Sequence, residues 1–306
     1  MDQQPLPADI NECVARALAE DIGTGDVTAS LLPESQELEA SVVCRESAVI
    51  CGRPWVEQVF AQIDERVKVQ WQVAEGAQVR ADQTVCTVSG PARAILTGER
   101  TALNFLQTLS GTATVTRRMV ERVRGTEARI VDTRKTLPSL RSAQKYAVMA
   151  GGGMNHRHGL YDAILIKENH IIAAGGITEA IQAAKALKAE VPLMCEAEDL
   201  SEVQAALDQN VDLLLLDDFA THILAKAVNM AREYRRYNRA QTILEATGGI
   251  SINNVRSIAD TGVDRISIGG LTKHLQAVDL SLRVSGSDDG GRQPGTTVKS
   301  LRVNLR

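Results

Sequence analysis

Aromatic residues make up only 3% of this 306-residue chain, and acids outnumber bases by 38 to 34. Nucleic-acid binders depend on basic faces and stacking rings, so that class is set aside. No apolar run approaches the roughly 18 residues of a membrane span; the run from Leu213 to Leu216 is the length of a strand. The five cysteines, at 13, 44, 51, 86 and 195, are odd in number and show no CxxC spacing. That argues against a disulfide framework or a zinc knuckle and for a reducing compartment. The opening MDQQPLPADINE lacks the basic and apolar regions of a signal peptide, so the expected location is cytoplasmic, with no membrane partner. Neither GxGxxG nor GxxxxGK[ST] occurs, which argues against standard dinucleotide and P-loop sites. What is present, 44% hydrophobic and 24% charged residues, is the composition of a globular chain. Its length suggests two domains, or one large barrel with an appendage.

The chain divides near residue 110. Residues 9–20 predict a helix, with Ile10, Cys13, Val14, Ala17 and Leu18 at helical spacing. Short β-branched runs follow at 40–43, 67–73 and 85–88, punctuated by Gly52, Gly76 and Gly90, as in a small sheet domain. Residues 100–109 return to helix, with Gly111 read as lying just past its stop. Beyond 125 the rhythm becomes strand, polar loop, helix. Strands are expected at 128–132, 162–166, 191–196, 212–216, 242–246 and 264–268, with helix caps at Ser201 and Asn253. Nearly all-apolar strands alternating with amphipathic helices imply a parallel sheet covered by helices. Six strands fall short of eight, which points to an incomplete α/β barrel of TIM-like kind, with a doubly wound sheet as the alternative. The polar stretch from 285 onward reads as a disordered tail.

Chemistry gathers at the strand ends. Arg134-Lys135 follow the first strand and Lys167-Glu168-Asn169-His170 the second. Glu196 and Glu198 follow the third, Asp217-Asp218 the fourth, Thr247-Gly248-Gly249 the fifth and Gly269-Gly270 the sixth. Carboxyl ends of parallel strands form one face, where active sites are built. Arg134, Lys135, Arg157 and Lys167 in one mouth suit a ligand with several carboxylates or phosphates. Glu196, Glu198, Asp217 and Asp218 suit a hard cation such as Mg²⁺, although Asp199 and Asp218 would also serve simply as helix-starting acids. The glycine turns offer bare amides to a phosphate. His156, His158 and His170 raise a zinc alternative, against which stands the fixed charge of Arg157 in the same loop; hydrogen bonding of His156 to an anionic substrate is the preferred reading. The run Arg117, Arg118, Arg122, Arg124 reads as a solvated helix face.

These residues carry a family resemblance. The segments LTGERTALNFLQTLSGTAT (96–114), DTRKTLPSLRSAQKYAVMAGGGMNHRHGLYD (132–162) and ILIKENHI (164–171) resemble the quinolinate phosphoribosyltransferases, also called carboxylating nicotinate-nucleotide pyrophosphorylases. EDIGTGDVTASLLP, LEATGG and GVDRISIGGLTKHLQAVDLSL match the same family in order, so the likeness spans about residues 9–284. It implies an N-terminal α/β sandwich over 1–111, completed by the chain's last helical piece at about 272–284, and an incomplete barrel over 112–271. It also implies Mg²⁺-dependent transfer of phosphoribosyl from phosphoribosyl pyrophosphate to quinolinate with loss of CO₂, giving nicotinate mononucleotide for NAD synthesis. Quinolinate would be held by Arg100, Thr133, Arg134, Lys135, His156, Arg157 and Lys167. A homodimer is implied, with Arg100 supplied by the neighbouring subunit. Glu196 and Asp217 would face the ribose and the Mg²⁺-pyrophosphate, and with Lys135 and Lys167 would form the catalytic set. Thr247, Gly248, Gly249, Ile268, Gly269 and Gly270 would hold the 5′-phosphate. The sequence departs from the family pattern at Thr247, Asp218 and His274.

Three rival readings remain at this stage. One is a related transferase acting on nicotinate, whose single carboxylate would not need so many cations. Another is a metal-dependent hydrolase using the histidines and acids. The last is a carrier module, since VAEGAQVRADQTV (73–85) has a biotinyl/lipoyl-like pattern but no lysine at the expected hairpin tip.

Overall fold

A computed structural model of the chain describes residues 5–238 and 241–284; the tail expected after 284 lies outside them. The N-terminal part comprises α1 (Ile10–Ile22), a 3₁₀ turn (Ala29–Leu31), β1 (Glu37–Cys44), β2 (Ala48–Val49) and α2 (Arg53–Ile63). It continues through β3 (Lys68–Trp71), β4 (Gln78–Val79), β5 (Gln83–Pro91) and α3 (Ala92–Arg122). Then come β6 (Arg129–Val131), α4 (Arg141–Ala150), β7 (Ile164–Ile166), α5 (Glu168–Ala174), α6 (Ile177–Ala186), β8 (Leu193–Ala197) and α7 (Leu200–Asp208). The remainder is β9 (Leu213–Asp217), α8 (Thr221–Asn238), β10 (Ile243–Thr247), α9 (Val255–Ala259), β11 (Arg265–Ser267), α10 (Gly270–Lys273) and β12 (Leu280–Val284).

An antiparallel sheet in the order β12-β1-β5-β3 packs its apolar face against the N-terminal helices. Trp55, Phe60, Ile95, Leu106 and Leu109 meet there in one buried core. Two expectations need correction. The segment after 272 completes this sheet as an edge strand, not as a helix: β12 pairs antiparallel with β1, from Cys44 opposite Leu280 to Ala40 opposite Val284. Its buried residues, Val278 and Leu280, with the partly buried Leu282, fall at period two, the strand's own repeat. Nor does the helix expected at 100–109 stop before Gly111. It runs without a break from Ala92 to Arg122 and belongs to both halves, with Leu103 to Ala113 in the first core and Met119 in the second.

Gly111 is therefore a point of close approach and not a cap. A Cβ placed there would stand 2.3 Å from the carbonyl oxygen of Gln276. Buried hydroxyls of the same helix are satisfied in two ways, Ser110 Oγ exchanging hydrogen bonds with the distant Cys51 backbone and Thr116 Oγ1 donating to Thr112 O one turn back.

The second half is an open parallel sheet in the order β6-β11-β10-β9-β8-β7, with all six expected strands present and no closed barrel. Beyond β6 the curve is extended by a single parallel bridge between Val131 and Met154. Residues 155–163 then run from that edge to β7, across the seam where further strands would stand in a full barrel. The helix starts differ slightly from expectation: α7 is capped by Asp199, whose carboxylate accepts from the amides of Ser201 and Glu202, and Asn254 precedes α9.

Each strand is buried on both faces, and alternate residues sort between them. Ile130, Ile166, Cys195, Leu214, Leu216, Leu244, Ala246 and Ile266 belong to the core under the helices. Ala163, Met194, Leu213 and Leu215, with Leu165 and Ile243, form a separate inner cluster.

The Gly111 contact has a testable sign. In an open helix Gly→Ala stabilises by about 1 kcal/mol; here the methyl meets backbone. We expect Gly111→Ala to lower the unfolding free energy by about 1–3 kcal/mol, read from the urea midpoint. A variant as stable as the parent would show that the α3–Gln276 contact yields freely.

Candidate active site

The inner series of side chains, followed to the carboxyl end of each strand or just past it, reaches Thr133, Lys167, Glu196, Asp217, Thr247 and Gly269. Every one was expected at the site, and alternation is what aims them into one mouth. Lys167 forms an ion pair with the carboxylate of Glu196. Burial raises the pKa of Asp217, and so do its hydrogen bond to Glu196 and that residue's charge. Glu198, also expected here, is exposed; the charge of Glu168 beside it pushes its pKa up. Two facing carboxylates with Lys167 alone as counter-ion favour a further cation or a shared proton.

Beside these acids lies a cleft of about 550 Å³ lined by Thr133, Lys135, the 247–252 turn, Ser267 to Gly270, Lys273 and His274. Gly248 and Gly249 both take positive φ, 87° and 52°. A Cβ at 248 would come within 2.7 Å of the Asp218 amide nitrogen and 3.0 Å of Asp217 Oδ1, so glycine is what lets the turn lie against the acids. Asp218 does not cap a helix: it sits at φ 55° and its amide donates to Thr247 O. Thr133 Oγ1 accepts from the Lys135 amide, and the Lys135 chain passes over Gly269, where a Cβ would meet Cδ at 3.0 Å. Ile268 borders the cleft, but its side chain belongs to the outer core.

The third wall is cationic. Arg157 donates from Nη1 to Ala163 O at 3.0 Å. Its pKa is lowered by burial and by the neighbouring guanidinium of Arg134. Arg134 Nε is buried without a hydrogen-bond partner. Among the described residues neither arginine makes an ion pair, and neither does Lys135. Two adjacent, partly desolvated guanidiniums without an ion-pair partner among the described residues, with Asp162 the acid that acts on Arg157, form a receptor for an anion.

Several residues that hold this wall were not singled out from the sequence. Lys145 and Asp132 form a fully buried ion pair at 2.5 Å. Asp132 Oδ1 accepts the His156 amide at 2.8 Å, and Lys145 Nζ donates to His156 O at 2.9 Å, so both peptide groups of His156 are clamped. Arg141 donates to Thr136 Oγ1, Arg134 O and His158 O, tying the 134–136 loop to the 156–158 loop. Glu245 stands mid-strand on the inner face of β10, fully buried, with neither oxygen hydrogen-bonded. A charged residue inside an otherwise apolar parallel strand was the available signal. The arginine run is also more than a solvated face. Arg117 donates to the carbonyls of Gly151 and Ala150 at the end of α4, and Arg118 borders the cleft, while Arg122 and Arg124 are exposed.

The histidines do not converge as a ligand set. His156 Nδ1 accepts the Arg157 amide, and His170 Nδ1 accepts the Lys167 amide at the start of α5. Among the described residues no group of three or more His, Cys, Asp or Glu is arranged to hold a metal ion. Glu196 and Asp217 are nonetheless two hard oxygen donors side by side, the set that fits Mg²⁺ when the substrate's phosphates complete its shell.

Arg100 is not brought to this mouth by its own chain. It is exposed on α3, 18 residues before Arg118, which is about 27 Å along a helix and about five whole turns.

An open α/β barrel whose strand ends gather cations, paired acids and glycine turns defines an enzyme for a poly-anionic substrate. The comparisons make this specific. The model of the quinolinate phosphoribosyl transferase C-terminal domain matches residues 112–283, and that of the N-terminal domain matches 26–110. A nicotinate-nucleotide pyrophosphorylase [carboxylating] of Mycobacterium leprae is 41% identical over 279 residues, covering 89% of this chain and 95% of that protein. A quinolinate phosphoribosyltransferase [decarboxylating] of Nicotiana tabacum is 35% identical over 290 residues, covering 90% and 82%. The solved nicotinate-nucleotide pyrophosphorylase of Francisella tularensis superposes with a TM-score of 0.85 at 42% identity, covering 92% of this chain and 98% of that one. The chain belongs to the quinolinate phosphoribosyltransferase family and is a phosphoribosyltransferase enzyme.

Glu245 gives the site a pH signature. Burial raises its carboxyl from 4.5 to about 7. Between these values the unfolded chain sheds a proton that the folded chain keeps, so stability falls as pH rises and the full penalty is present above the folded value. Glu245→Gln cannot ionise. It is expected to match the parent near pH 4 and to exceed it at pH 8 by an amount on the order of 1–3 kcal/mol, measured as the difference in urea midpoints. An identical pH slope in both proteins would place the proton elsewhere.

Proposed function

We propose that the enzyme transfers the phosphoribosyl group of phosphoribosyl pyrophosphate to the ring nitrogen of quinolinate, with release of pyrophosphate and CO₂, to give nicotinate mononucleotide in the cytoplasm for NAD synthesis. The observation that carries this reading is the Arg134–Arg157 couple, without an ion-pair partner among the described residues, beside a glycine-lined cleft of about 550 Å³. Quinolinate presents two adjacent carboxylates, and two guanidinium forks are the natural receptor for them. Lys135 and Lys167 extend the cationic arc, and Thr247-Gly248-Gly249 with Gly269-Gly270 offer backbone amides and a hydroxyl to the 5′-phosphate.

Binding both substrates at one mouth supplies orientation, which for two reactants is worth several kcal/mol of barrier. As the C1–pyrophosphate bond lengthens, positive charge grows on the ribose and negative charge on the leaving group. Glu196 and Asp217 face the first, Lys135 the second. Glu196 and Asp217 would hold Mg²⁺ together with the substrate's phosphates, and the bound ion supplies charge neutralisation of the leaving pyrophosphate. Once alkylated, the ring nitrogen is cationic and stabilises the electron pair left on C2 when the 2-carboxylate departs as CO₂; a proton from solvent then bonds to C2 and gives nicotinate mononucleotide. No covalent nucleophile is required of the protein.

Purified protein with phosphoribosyl pyrophosphate, Mg²⁺ and either quinolinate or nicotinate should form nicotinate mononucleotide from quinolinate alone, followed by mass spectrometry. Turnover of nicotinate only would overturn the substrate assignment. Loss of a fully engaged charged contact costs about 1.5–3 kcal/mol per bond, so Arg134→Ala and Arg157→Ala should each lower kcat/KM for quinolinate by roughly a hundredfold.

The proposed assembly is a homodimer in which Arg100 of one protomer completes the site of its partner; the distance of Arg100 from its own mouth supports this. Mixing the inactive variants Arg100→Ala and Arg134→Ala and allowing exchange should then restore about a quarter of parental activity, because half the dimers carry one intact site. A mixture that stays inactive after proven exchange would place Arg100 in its own subunit's chemistry, and an Arg100→Ala variant with parental activity would give it no role.

A further inference from the structure

We propose that Glu245 is a positioning residue for the base-binding loop: it accepts the Nε2 proton of His156, and the imidazole so fixed accepts the Arg157 amide, so that a carboxyl inside the barrel aims the Arg157 guanidinium. This deepens the reading above and rests on it only for the kinetic part of its test.

The argument starts from hydrogen-bond accounting. His156 Nδ1 lies 2.8 Å from the Arg157 nitrogen, and a backbone N–H can only donate. Nδ1 therefore carries no proton, and the neutral ring must carry its proton on Nε2. That atom is buried without a partner, and so are both oxygens of Glu245. Nε2 and Glu245 Oε1 stand 3.6 Å apart, side by side inside the barrel. Buried polar atoms are almost always satisfied, so Nε2 and Oε1 answer one another, by closing a few tenths of an ångström or through one enclosed water, with the Ser267 hydroxyl also at hand for the carboxyl.

The rest of the His156 segment is already immobile. Asp132 and Lys145 hold its amide and carbonyl, and Arg157 Nη1 is tied to Ala163 O. Ring rotation is the freedom left, and Glu245 is placed to remove it. Both ring nitrogens are thereby committed to the protein, which leaves His156 no hydrogen bond for a substrate in this arrangement.

The charges around the couple agree with a neutral ring. Burial, then Lys145, Arg157 and Arg265, push His156 down to about 4, opposed by Asp162. Glu245 is faced by the Ser267 hydroxyl, by Arg265, its neighbour in register on β11, and by Asp132; the first two favour its charged form and the third opposes it. Above pH 5.5 the couple is a neutral imidazole donating to a carboxyl oxygen, whether or not the carboxyl holds its own proton, so the amide oxygen of a glutamine at 245 should accept the same bond.

The test uses the full chain with ¹⁵N-labelled histidine and three proteins: parent, Glu245→Gln and Glu245→Leu. In the parent, His156 (assigned by its loss in His156→Gln) should be a neutral ring protonated at Nε2 from pH 5.5 to 8. The Glu245→Gln protein should keep that state and hold KM for quinolinate within about twofold. The Glu245→Leu protein should show a moved ring resonance and a KM for quinolinate raised at least about tenfold, with KM for phosphoribosyl pyrophosphate within about twofold. An imidazolium or an Nδ1-protonated ring in the parent overturns the proposal. So does a Glu245→Leu protein with parental KM for quinolinate, or a Glu245→Gln protein as impaired as the Glu245→Leu one. If the Glu245→Leu protein does not fold, the spectra of the parent and of Glu245→Gln decide the matter. If the parent does not turn over quinolinate, the proposed reaction fails while the spectra still decide whether Glu245 holds His156.

Discussion

A strand buried on both faces must send alternate side chains to opposite sides, and the architecture of this site follows from that one constraint. Six parallel strands present one set of residues to the covering helices and the other to the interior. Because the strands start and stop at similar heights, the inner residues fall into layers, as in full barrels. The uppermost layer is Thr133, Lys167, Glu196, Asp217, Thr247 and Gly269, all directed at the mouth. The layer beneath is Val131, Leu165, Met194, Leu215, Glu245 and Ser267. It is apolar under the acids of β8 and β9 and polar under the glycine turns of β10 and β11. The polar half is separated by β6 from the seam where residues 155–163 cross, and His156 of that crossing segment reaches the buried Glu245 carboxyl.

Leaving the barrel open creates a difficulty, since a loop spanning the gap must satisfy backbone groups that strands would have paired. The chain meets it with charged side chains from α4 and from the end of β6. Lys145 and Asp132 clamp the two peptide groups of His156, and Arg141 ties three separate points of the two loops together. A buried ion pair gives little net stability against a hydrophobic replacement, but removing one partner costs about 3–5 kcal/mol. Such a pair is a fastening device more than a source of stability. It makes a loop as well placed as a strand end, which a receptor for two adjacent carboxylates requires.

How much of this is legible in the sequence divides along a physical line. Features that depend on local period are visible: the six parallel strands, the helix beginning near residue 9, and polar residues such as Glu196 and Asp217 ending apolar runs. Features that depend on what meets a residue from elsewhere are not. Gly111 looks like a helix stop because glycine usually marks one, and only the approach of Gln276 shows why a helix interior tolerates it there. Residues 272–284 suggest a helix by their place in the family pattern, whereas Val278, Leu280 and Leu282 alternate as an edge strand does. Lys145 and Arg141 resemble ordinary helix charges, since nothing local separates a buried clamp from a solvated side chain. Glu245 is the exception that the sequence marks, being a charge in mid-strand.

The order of the strands also decides why the mouth keeps an unbalanced charge. Going round the rim, Arg134 and Lys135 follow β6, the glycine turns follow β11 and β10, Asp217 and Glu196 stand at the ends of β9 and β8, Lys167 follows β7, and Arg157 lies in the seam that returns to β6. Cations thus occupy one arc and acids another. The arcs touch at a single junction, where Lys167 pairs with Glu196. On the other side two glycine turns, with no charge of their own, keep them apart. Free charges on flexible surfaces find counter-ions; these cannot, because short strands and clamped loops fix their positions. The mouth therefore holds a preorganised field from the acidic to the basic arc, and no reorganisation is needed when charge of either sign develops within it. Segregation of charge by strand order, and not the number of charged residues, is what makes a net-acidic chain a receptor for anions.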